Sequence, residues 1–479
     1  MLPLQLSPPA TTARQIEAMK RTTPNFAHII ITALFVYLIT DPIFSLASTT
    51  QATGHSDAGA SHEAKRLNHQ GLEHLNKKEY EQAIPLFRQA LQLQPDYSDA
   101  FDNLGKALDA TGKHEEAIGD FDKAIKLAPE NAAIYYNKGL ALFHEGKFEE
   151  SVAMYRKALE IHEDFSDAQN GMGAALLSLG KTEEAGNAFS KAITLNPKNA
   201  DALNNFGLTL LSEKKAEQAT SYFRRAHKVR PASAEYLENY AHALDQAGHS
   251  NEAIAAYHKL LSKNPDNTSA WTSLGHLYYS SKQYDKASSA LQKSLALKHD
   301  QPETLIALGM VQNDEGKTAD AIKSYEASLA LKPDDFHAHY GLANAYYSLK
   351  DYPKATANYE KALAQKPDFS EALVGLAASQ LAANNFEEAI ANYQKLISLR
   401  PDDPNIRFNL GTAYFNKGKF QDAATSYREA IHLKPDLAHA HYNLGMSLLR
   451  LNDPQAAQAA FQEAHRLDPS LNAPSANSR

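Results

Sequence analysis

The side chains that could carry catalysis or metal binding are few in this sequence. Two histidine pairs invite a metal interpretation, His337 with His339 and His439 with His441. Residues two apart on a helix point to different faces, so we interpret these histidines as structural or solvated. The chain contains no cysteine, which excludes disulfides, thiolate ligands and cysteine nucleophiles.

The motifs of known chemistries are missing as well. The sequence has no phosphate-binding loop, no His-Glu-x-x-His pair and no Gly-x-Ser-x-Gly elbow in a strand-to-helix setting. The net charge is -8 and the body of the chain has no run of Lys and Arg, whereas nucleic-acid binding depends on clustered cations. We therefore predict a protein without enzyme activity, cofactor, metal ion or nucleic-acid partner.

The elements that position the remaining side chains repeat every 34 residues, without insertion or deletion. One column is proline, which ends a helix: Pro95, Pro129, Pro197, Pro231, Pro265, Pro333, Pro367, Pro401, Pro435 and Pro469. A second column is almost always glycine: Gly71, Gly105, Gly139, Gly173, Gly207, Gly275, Gly309, Gly411 and Gly445. Each unit is therefore predicted to present the same surface to its neighbour.

Two further columns describe a helical hairpin. An alanine column, with Ser151 as its exception, is followed four residues later by a large ring, with Leu291 as its exception. Residues four apart share a helix face, so each ring is expected to fill the space between hairpins. The left-handed position that ends the first helix is predicted at Gly112, Gly146, Gly180, Gly248, Gly316, Gly418, Asn384 and Asn452.

These columns resemble the tetratricopeptide repeat family, with the fullest match at Trp271, Leu274, Gly275 and Tyr278. The resemblance covers residues 64–471 as twelve tandem repeats. It implies an all-α fold, a right-handed superhelix of twelve helix-turn-helix repeats. In such a stack each hairpin buries its apolar faces against adjacent copies, and polar replacements at Gln458 and His465 predict that the last helix is its own cap.

The N-terminal residues lie outside the predicted fold. Residues 26–40 are an apolar run preceded by Lys20 and Arg21 and followed by Pro42, the layout of an export signal cleaved after Ala47. Residues 1–47 are thus predicted to be a signal peptide, with Met19 as the true start, or else an anchor in the inner membrane through residues 26–47. A span needs about 20 apolar residues, which disfavours the anchor. Residues 48–63 are predicted to be a flexible linker and residues 472–479 a disordered tail.

The resemblance also implies a binding groove lined by the first helix of each repeat. One groove position carries a ladder of asparagines, whose amides can bond a peptide backbone: Asn103, Asn137, Asn205, Asn239, Asn409 and Asn443. The alternative is that these asparagines are solvated or bond their own neighbours.

The groove positions differ in character between the two halves of the chain. Acidic residues dominate repeats 2 to 6, opposed only by Lys106, which favours a basic partner segment: Asp99, Asp102, Asp109, Asp167, Asp201, Glu235, Glu238 and Asp245. A solvated acidic face is the competing interpretation. Aromatic residues dominate repeats 9 to 12 and favour apolar partner side chains: Tyr340, Tyr346, Tyr347, Phe408, Tyr414, Phe415 and Tyr442, of which Tyr346 and Tyr414 match a family core column.

Three functions compete at this point. The first is a periplasmic or secreted scaffold that holds an extended peptide or partner protein and assembles complexes of the envelope, touching the membrane only through its N-terminal segment. The second is a component of machinery that assembles or exports exopolysaccharide, since an aromatic groove also suits sugars. The third is the detached substrate-binding arm of a glycosyltransferase system, which the missing catalytic portion disfavours.

Overall fold

The computed structural model describes residues 58–474. They form two compact units, residues 58–265 and residues 266–474. Within these residues every regular element is a helix, twenty-four in all, and no strand occurs. The predicted all-α fold class is confirmed. The predicted signal or anchor at residues 1–47 lies outside the described residues.

The first unit holds six hairpins, each made of a first and a second helix. Their bounds are α1 Ala58–Asn76, α2 Tyr80–Leu93, α3 Ser98–Ala110, α4 His114–Leu127, α5 Ala132–His144, α6 Phe148–Ile161, α7 Ser166–Ser178, α8 Thr182–Leu195, α9 Ala200–Ser212, α10 Ala216–Val229, α11 Ala234–Gln246 and α12 Ser250–Lys263. Helix α1 begins within the predicted linker 48–63, because Ala58 and Ala60 favour helix and no proline stops the chain there.

The second unit holds six further hairpins, each with a first helix of 13 residues and a second helix of 14. Their bounds are α13 Thr268–Ser280, α14 Tyr284–Leu297, α15 Pro302–Asp314, α16 Thr318–Leu331, α17 Phe336–Ser348, α18 Tyr352–Gln365, α19 Ser370–Ala382, α20 Phe386–Leu399, α21 Pro404–Asn416, α22 Phe420–Leu433, α23 Ala438–Arg450 and α24 Pro454–Leu467. On α24 the side chains of Gln458 and His465 are exposed. Among the described helices, none combines the length and the apolar character needed to cross a membrane.

The turn inside each hairpin is closed by one residue in the left-handed region. In repeat 2 this residue is Gly112, at φ 78°, and the Lys113 amide donates back to Leu108 O at 2.9 Å. This Schellman arrangement satisfies carbonyls that the helix end would leave unpaired. All eight predicted positions adopt positive φ. Four lysines that the glycine pattern does not indicate adopt the same conformation in this column: Lys78, Lys214, Lys282 and Lys350.

The rings on the second helices pack against the glycines on the first helices, where no side chain occupies the space. Tyr155 of α6 is fully buried, and a Cβ added to Gly139 of the same hairpin would lie 2.8 Å from its ring. A Cβ added to Gly171 on the next hairpin would lie 2.6 Å from Cζ of the same ring. Each ring therefore joins two hairpins, and the small residues are required because the ring occupies the space of a side chain.

Candidate functional site

The candidate site is the face formed by the first helices within each unit. First helices of neighbouring hairpins contact one another, as α1 does with α3 and α3 with α5, more closely than second helices do among the described residues. A stack whose first helices converge places them on its inner side. This arrangement agrees with the groove positions inferred from the resemblance, and it brings residues of consecutive repeats within hydrogen-bonding distance.

The asparagine ladder of the first unit bonds the preceding hairpin. Each side-chain amide donates to a residue 35 positions earlier, at 2.8 to 3.1 Å: Asn103 to Asn68, Asn137 to Asp102, Asn205 to Asn170 and Asn239 to Asn204. Asn103 and Asn205 are only 5% and 4% exposed. The amide nitrogens therefore join neighbouring first helices, as the alternative interpretation expected when it let the asparagines bond their own neighbours. Only the remaining hydrogen-bonding capacity of each amide is available to a ligand.

In the second unit the ladder positions have the same partial exposure as Asn137 and Asn239 of the first unit. Asn409 and Asn443 are half-buried. Burial raises the pKa of the Tyr427 hydroxyl, and hydrogen bonds with Thr412 and Asn443 offset part of this rise. Asn443 is thus also engaged with the scaffold. A role of the ladder in binding a peptide stays a prediction.

Several predicted groove carboxylates have cationic partners that the sequence did not reveal. The expectation that Lys106 alone opposes them is wrong. Lys106 Nζ lies 2.7 Å from Asp102, and Arg230 lies 2.9 Å from Asp201. Arg230 was missed because it belongs to the loop after the second helix of repeat 5 and reaches back to the first helix of the same hairpin.

Asp109 has two histidine partners. Its carboxylate lies 2.7 Å from His114 Nδ1 and 2.9 Å from His144 Nδ1. No pattern in the sequence indicates this cluster, because its members belong to two repeats and lie up to 35 positions apart.

The charged form of two groove carboxylates is disfavoured by their surroundings. Burial and the neighbouring charge of Asp102 raise the pKa of Asp99, although Lys106 opposes the shift. Burial and the charge of Asp201 raise the pKa of Asp167, although a hydrogen bond from Asn199 opposes the shift. The raised pKa values mean that the charged form of each carboxylate is disfavoured, so a cation that binds from solvent would stabilise that form.

The predicted aromatic groove of repeats 9 to 12 differs in part from expectation. Tyr340 and Tyr347 are 6% and 9% exposed and belong to the apolar core, since both pack with the ring of Tyr359 and its neighbours. Burial raises the pKa of the Tyr347 hydroxyl to about 12. These two tyrosines are structural in this conformation, because stacking of the next hairpin covers them.

Other aromatic side chains on this face are half-buried. Phe408, Phe415 and Tyr442 pack against the core of the last hairpins and keep part of their surface open. Tyr346, which the family column assigns to the core, is also half-buried and lies under the Lys354 ammonium at 5.0 Å. The open aromatic surface of this unit is therefore smaller than the sequence predicted.

The histidines that invited a metal interpretation serve the scaffold. His339 Nε2 lies 3.0 Å from the carbonyl oxygen of Pro333, and His441 Nε2 lies 2.9 Å from that of Pro435. Both histidines occupy one repeat position, and each can donate its ring N–H to the proline that ends the preceding helix. This agrees with the structural interpretation.

Comparisons with known families give a consistent class. The family model described as a tetratricopeptide repeat matches residues 69–131, 103–166 and 408–472. A second repeat model of this type matches residues 173–214 and 380–418. A third, the tetratricopeptide domain of cytochrome c-type biogenesis protein H, matches residues 256–368. No curated protein matches the sequence.

Solved structures of similar fold include several repeat proteins. YrrB, a tetratricopeptide protein with an unusual peptide-binding site, is 26% identical over 39% of this chain and 96% of its own, with a TM-score of 0.37. The Cut9–Hcn1 hetero-tetramer is 16% identical over 85% and 94%, with a TM-score of 0.41. Yeast Tom70 is 17% identical over 85% and 98%, with a TM-score of 0.37.

The stacked hairpins and the family models define an all-α helical-repeat protein. The chain is a tetratricopeptide repeat protein, and its helices fit about twelve repeats. It is accordingly a protein-interaction scaffold that binds protein or peptide partners, a class generally without catalytic activity.

Proposed function

We propose that the first helices of residues 58–265 bind an extended, positively charged segment of a partner protein. In this proposal the protein has no enzyme activity and acts as an exported adaptor in the assembly of envelope complexes. The observation that carries the binding proposal is the pair of carboxylates Asp99 and Asp167, whose pKa values are raised by burial and by the neighbouring charges of Asp102 and Asp201. The two residues hold the same repeat position on α3 and α7, so they lie on one side of the unit.

The carboxylates already paired within the scaffold define where such a segment would bind. Asp102 is held by Lys106, and Asp201 is held by Arg230 and by the Tyr236 hydroxyl at 2.6 Å. These contacts fix the carboxylates of Asp102 and Asp201, and the charges of these two residues still contribute, after burial, to the raised pKa values of Asp99 and Asp167. A Lys or Arg side chain between Asp99 and Asp102 would replace like-charge repulsion with attraction.

The export context is part of the proposal and is supported by two observations. Residues 26–40 have the apolar pattern of an export signal. Residues 256–368 match the tetratricopeptide domain of a protein described by its role in cytochrome c biogenesis. An adaptor that presents or holds a client during assembly at the envelope fits both.

The binding proposal is tested with labelled twelve-residue peptides of matched length, one rich in Lys and Arg, one acidic and one neutral. Fluorescence anisotropy with the full-length protein should detect binding of the basic peptide only. Replacing Asp99 and Asp167 together by Asn keeps their shape and removes two charges, and should weaken binding about tenfold, or roughly 1.4 kcal/mol. Affinity for the basic peptide should also fall as the pH is lowered through the raised pKa values, because protonated carboxylates attract no cation.

The matched control is Glu160→Gln, which removes one exposed carboxylate on a second helix, where it pairs with Lys157. This variant should bind like the wild type. Equal binding of basic and acidic peptides, or full affinity in the Asp99/Asp167 double variant, would refute the proposed charge recognition. Titration with neutral and acidic oligosaccharides in the same assay tests the polysaccharide alternative, and saturable glycan binding in place of peptide binding would favour it.

A further inference from the structure

Three metal-ligating side chains converge at the junction of repeats 2 and 3. His114 Nδ1 lies 2.7 Å from Asp109 Oδ1. His144 Nδ1 lies 2.9 Å from Asp109 Oδ2 and 3.1 Å from Asp109 Oδ1. One ligand atom from each residue lies within 4.8 Å of the other two. Among the residues that the structure describes, this is the one group of three or more such side chains with this spacing.

The backbone holds these residues in place. Asp109 is next to the last residue of α3, His114 is the first residue of α4, and His144 is the last residue of α5. The turn between Asp109 and His114 is fixed by Gly112 in the left-handed region and by hydrogen bonds from its own amide and that of Lys113. Such a site is largely formed before any ligand arrives, so little ordering cost falls on binding.

The surroundings favour a cation. Two helices, α3 and α5, end at the cluster, and a helix C-terminus carries a partial negative charge. Only α4 starts there, with an opposing positive end. The Asp109 side chain is 13% exposed and that of His144 is 8% exposed, so water screens the cluster only weakly, whereas His114 at 25% leaves one side open.

The donor set matches a known coordination chemistry. Two imidazole nitrogens and one carboxylate suit borderline ions such as Zn²⁺, Co²⁺ or Ni²⁺. With metal–ligand distances near 2.0 to 2.1 Å, adjacent ligand atoms stand about 2.9 to 3.3 Å apart in octahedral or tetrahedral sites. The separations from Asp109 to the two rings, 2.7 to 3.1 Å, are within a few tenths of an ångström of that range.

We propose that Asp109, His114 and His144 form a binding site for a divalent transition-metal ion of the zinc type, with its remaining coordination positions open to water. Each ring would bind through Nδ1 and carry its proton on Nε2. The Nε2 atom of His144 is buried without a hydrogen-bond partner. Ligand histidines usually donate this second N–H, and its loss costs about 10 to 100-fold in affinity, so we expect a dissociation constant on the order of micromolar.

The test uses tag-free full-length protein stripped with a chelator. Zn²⁺ titrated in competition with a chromophoric chelator should bind at one site per chain, and Co²⁺ should give visible d–d absorption bands that Zn²⁺ abolishes. His114→Ala changes a partly exposed residue and should weaken Zn²⁺ binding at least about tenfold, the effect of losing one ligand. His144→Gln should do the same, with far-ultraviolet circular dichroism confirming that both variants fold.

The control is His249→Ala. His249 pairs with Glu217 at 2.8 Å, like the members of the cluster, but belongs to no group of three possible ligands in the described part of the chain. This variant should bind Zn²⁺ as the wild type does. Because the chain has 20 histidines, weak scattered binding is the main competitor. Binding that His114→Ala leaves unchanged, or no saturable site in the wild type, overturns the proposal.

Discussion

A single added methyl group at Gly171 should test how the hairpins are joined. Gly171 lies on α7, where alanine is the better helix former by about 1 kcal/mol. The new Cβ would lie 2.6 Å from Tyr155 Cζ and 2.8 Å from Cε1. Carbon atoms in contact stand about 3.5 to 4.0 Å apart, so the overlap is roughly 1 Å.

The ring of Tyr155 has little room to move away. It is fully buried and also lies against Gly139, where a Cβ would itself stand 2.8 Å from Cε1. Overpacking in such cores costs about 1 to 3 kcal/mol. With the upper part of this range and the gain in helix propensity, we expect Gly171→Ala to destabilise the junction of repeats 3 and 4 by about 1 to 2 kcal/mol.

The matched control is Gly119→Ala. Gly119 lies inside α4, and no atom lies within 4 Å of a Cβ added there. The same substitution should therefore stabilise the protein by about 0.5 to 1 kcal/mol. Opposite signs for one chemical change would separate the packing effect from helix propensity.

Hydrogen exchange read by mass spectrometry is the suitable assay, because a repeat array unfolds locally and its global midpoint averages over many hairpins. A local loss of about 2 kcal/mol should speed exchange in α6 and α7 roughly 30-fold. The reasoning is refuted if Gly171→Ala slows exchange there, as the control should in α4, since alanine would then fit beside the ring.

Natural variation within the chain offers a rescue. Where asparagine supplies a Cβ at the position of Gly171, the preceding ring is tyrosine in two repeats, Tyr393 before Asn409 and Tyr427 before Asn443, and phenylalanine in four: Phe87 before Asn103, Phe121 before Asn137, Phe189 before Asn205 and Phe223 before Asn239. Adding Tyr155→Phe to Gly171→Ala reproduces this combination and should recover most of the loss. The single variant Tyr155→Phe, measured alongside, gives the coupling between the two sites by a double-mutant cycle.

Two further predictions concern hairpin ends. Burial would raise the pKa of Asp335, but hydrogen bonds with His337 and Lys332 outweigh burial and hold it well below its ordinary value. Asp335→Asn should therefore cost about 1 kcal/mol near neutral pH, and its difference from wild type in urea unfolding should shrink as the pH falls below about 4; a constant difference would contradict this. Replacing Lys214, at φ 62°, by Gly should stabilise the protein by about 0.5 to 1 kcal/mol. Lys215 has a φ of -96°, so Lys215→Gly should destabilise the protein, and thermal unfolding measures both variants.

The hairpins and their register could be predicted from the sequence because every repeat imposes the same local requirements. Three residues therefore recur at a fixed spacing: a proline after the second helix, a glycine opposite the ring and a glycine in the left-handed turn. The lysines in the turn column, such as Lys214, could not be predicted, because the two hydrogen bonds that close the turn impose the conformation on a residue that does not prefer it.

The candidate site was less predictable, because its state depends on contacts between repeats. A one-residue pattern marks Asn103 and Asp102 as groove positions, but it does not show that Asn137 donates to Asp102 or that Arg230 returns to Asp201. Each of these bonds joins residues about 30 positions apart. The first pair follows from the stacking of neighbouring first helices and the second from the packing of one hairpin, and sequence columns alone show neither.

The same stacking explains why this face can bind and still stay rigid. Along the ladder of the first unit, each amide donates one hydrogen bond to the previous hairpin, as Asn205 does to Asn170. The bond fixes the orientation of the side chain before a ligand arrives, so binding does not have to freeze it. Acidic residues such as Asp167 therefore lie on a surface that is already ordered. Their charge can attract a partner without a rearrangement of that surface. Loss of ladder amides should therefore weaken peptide binding through disorder of the acidic face, even where no peptide touches the asparagine.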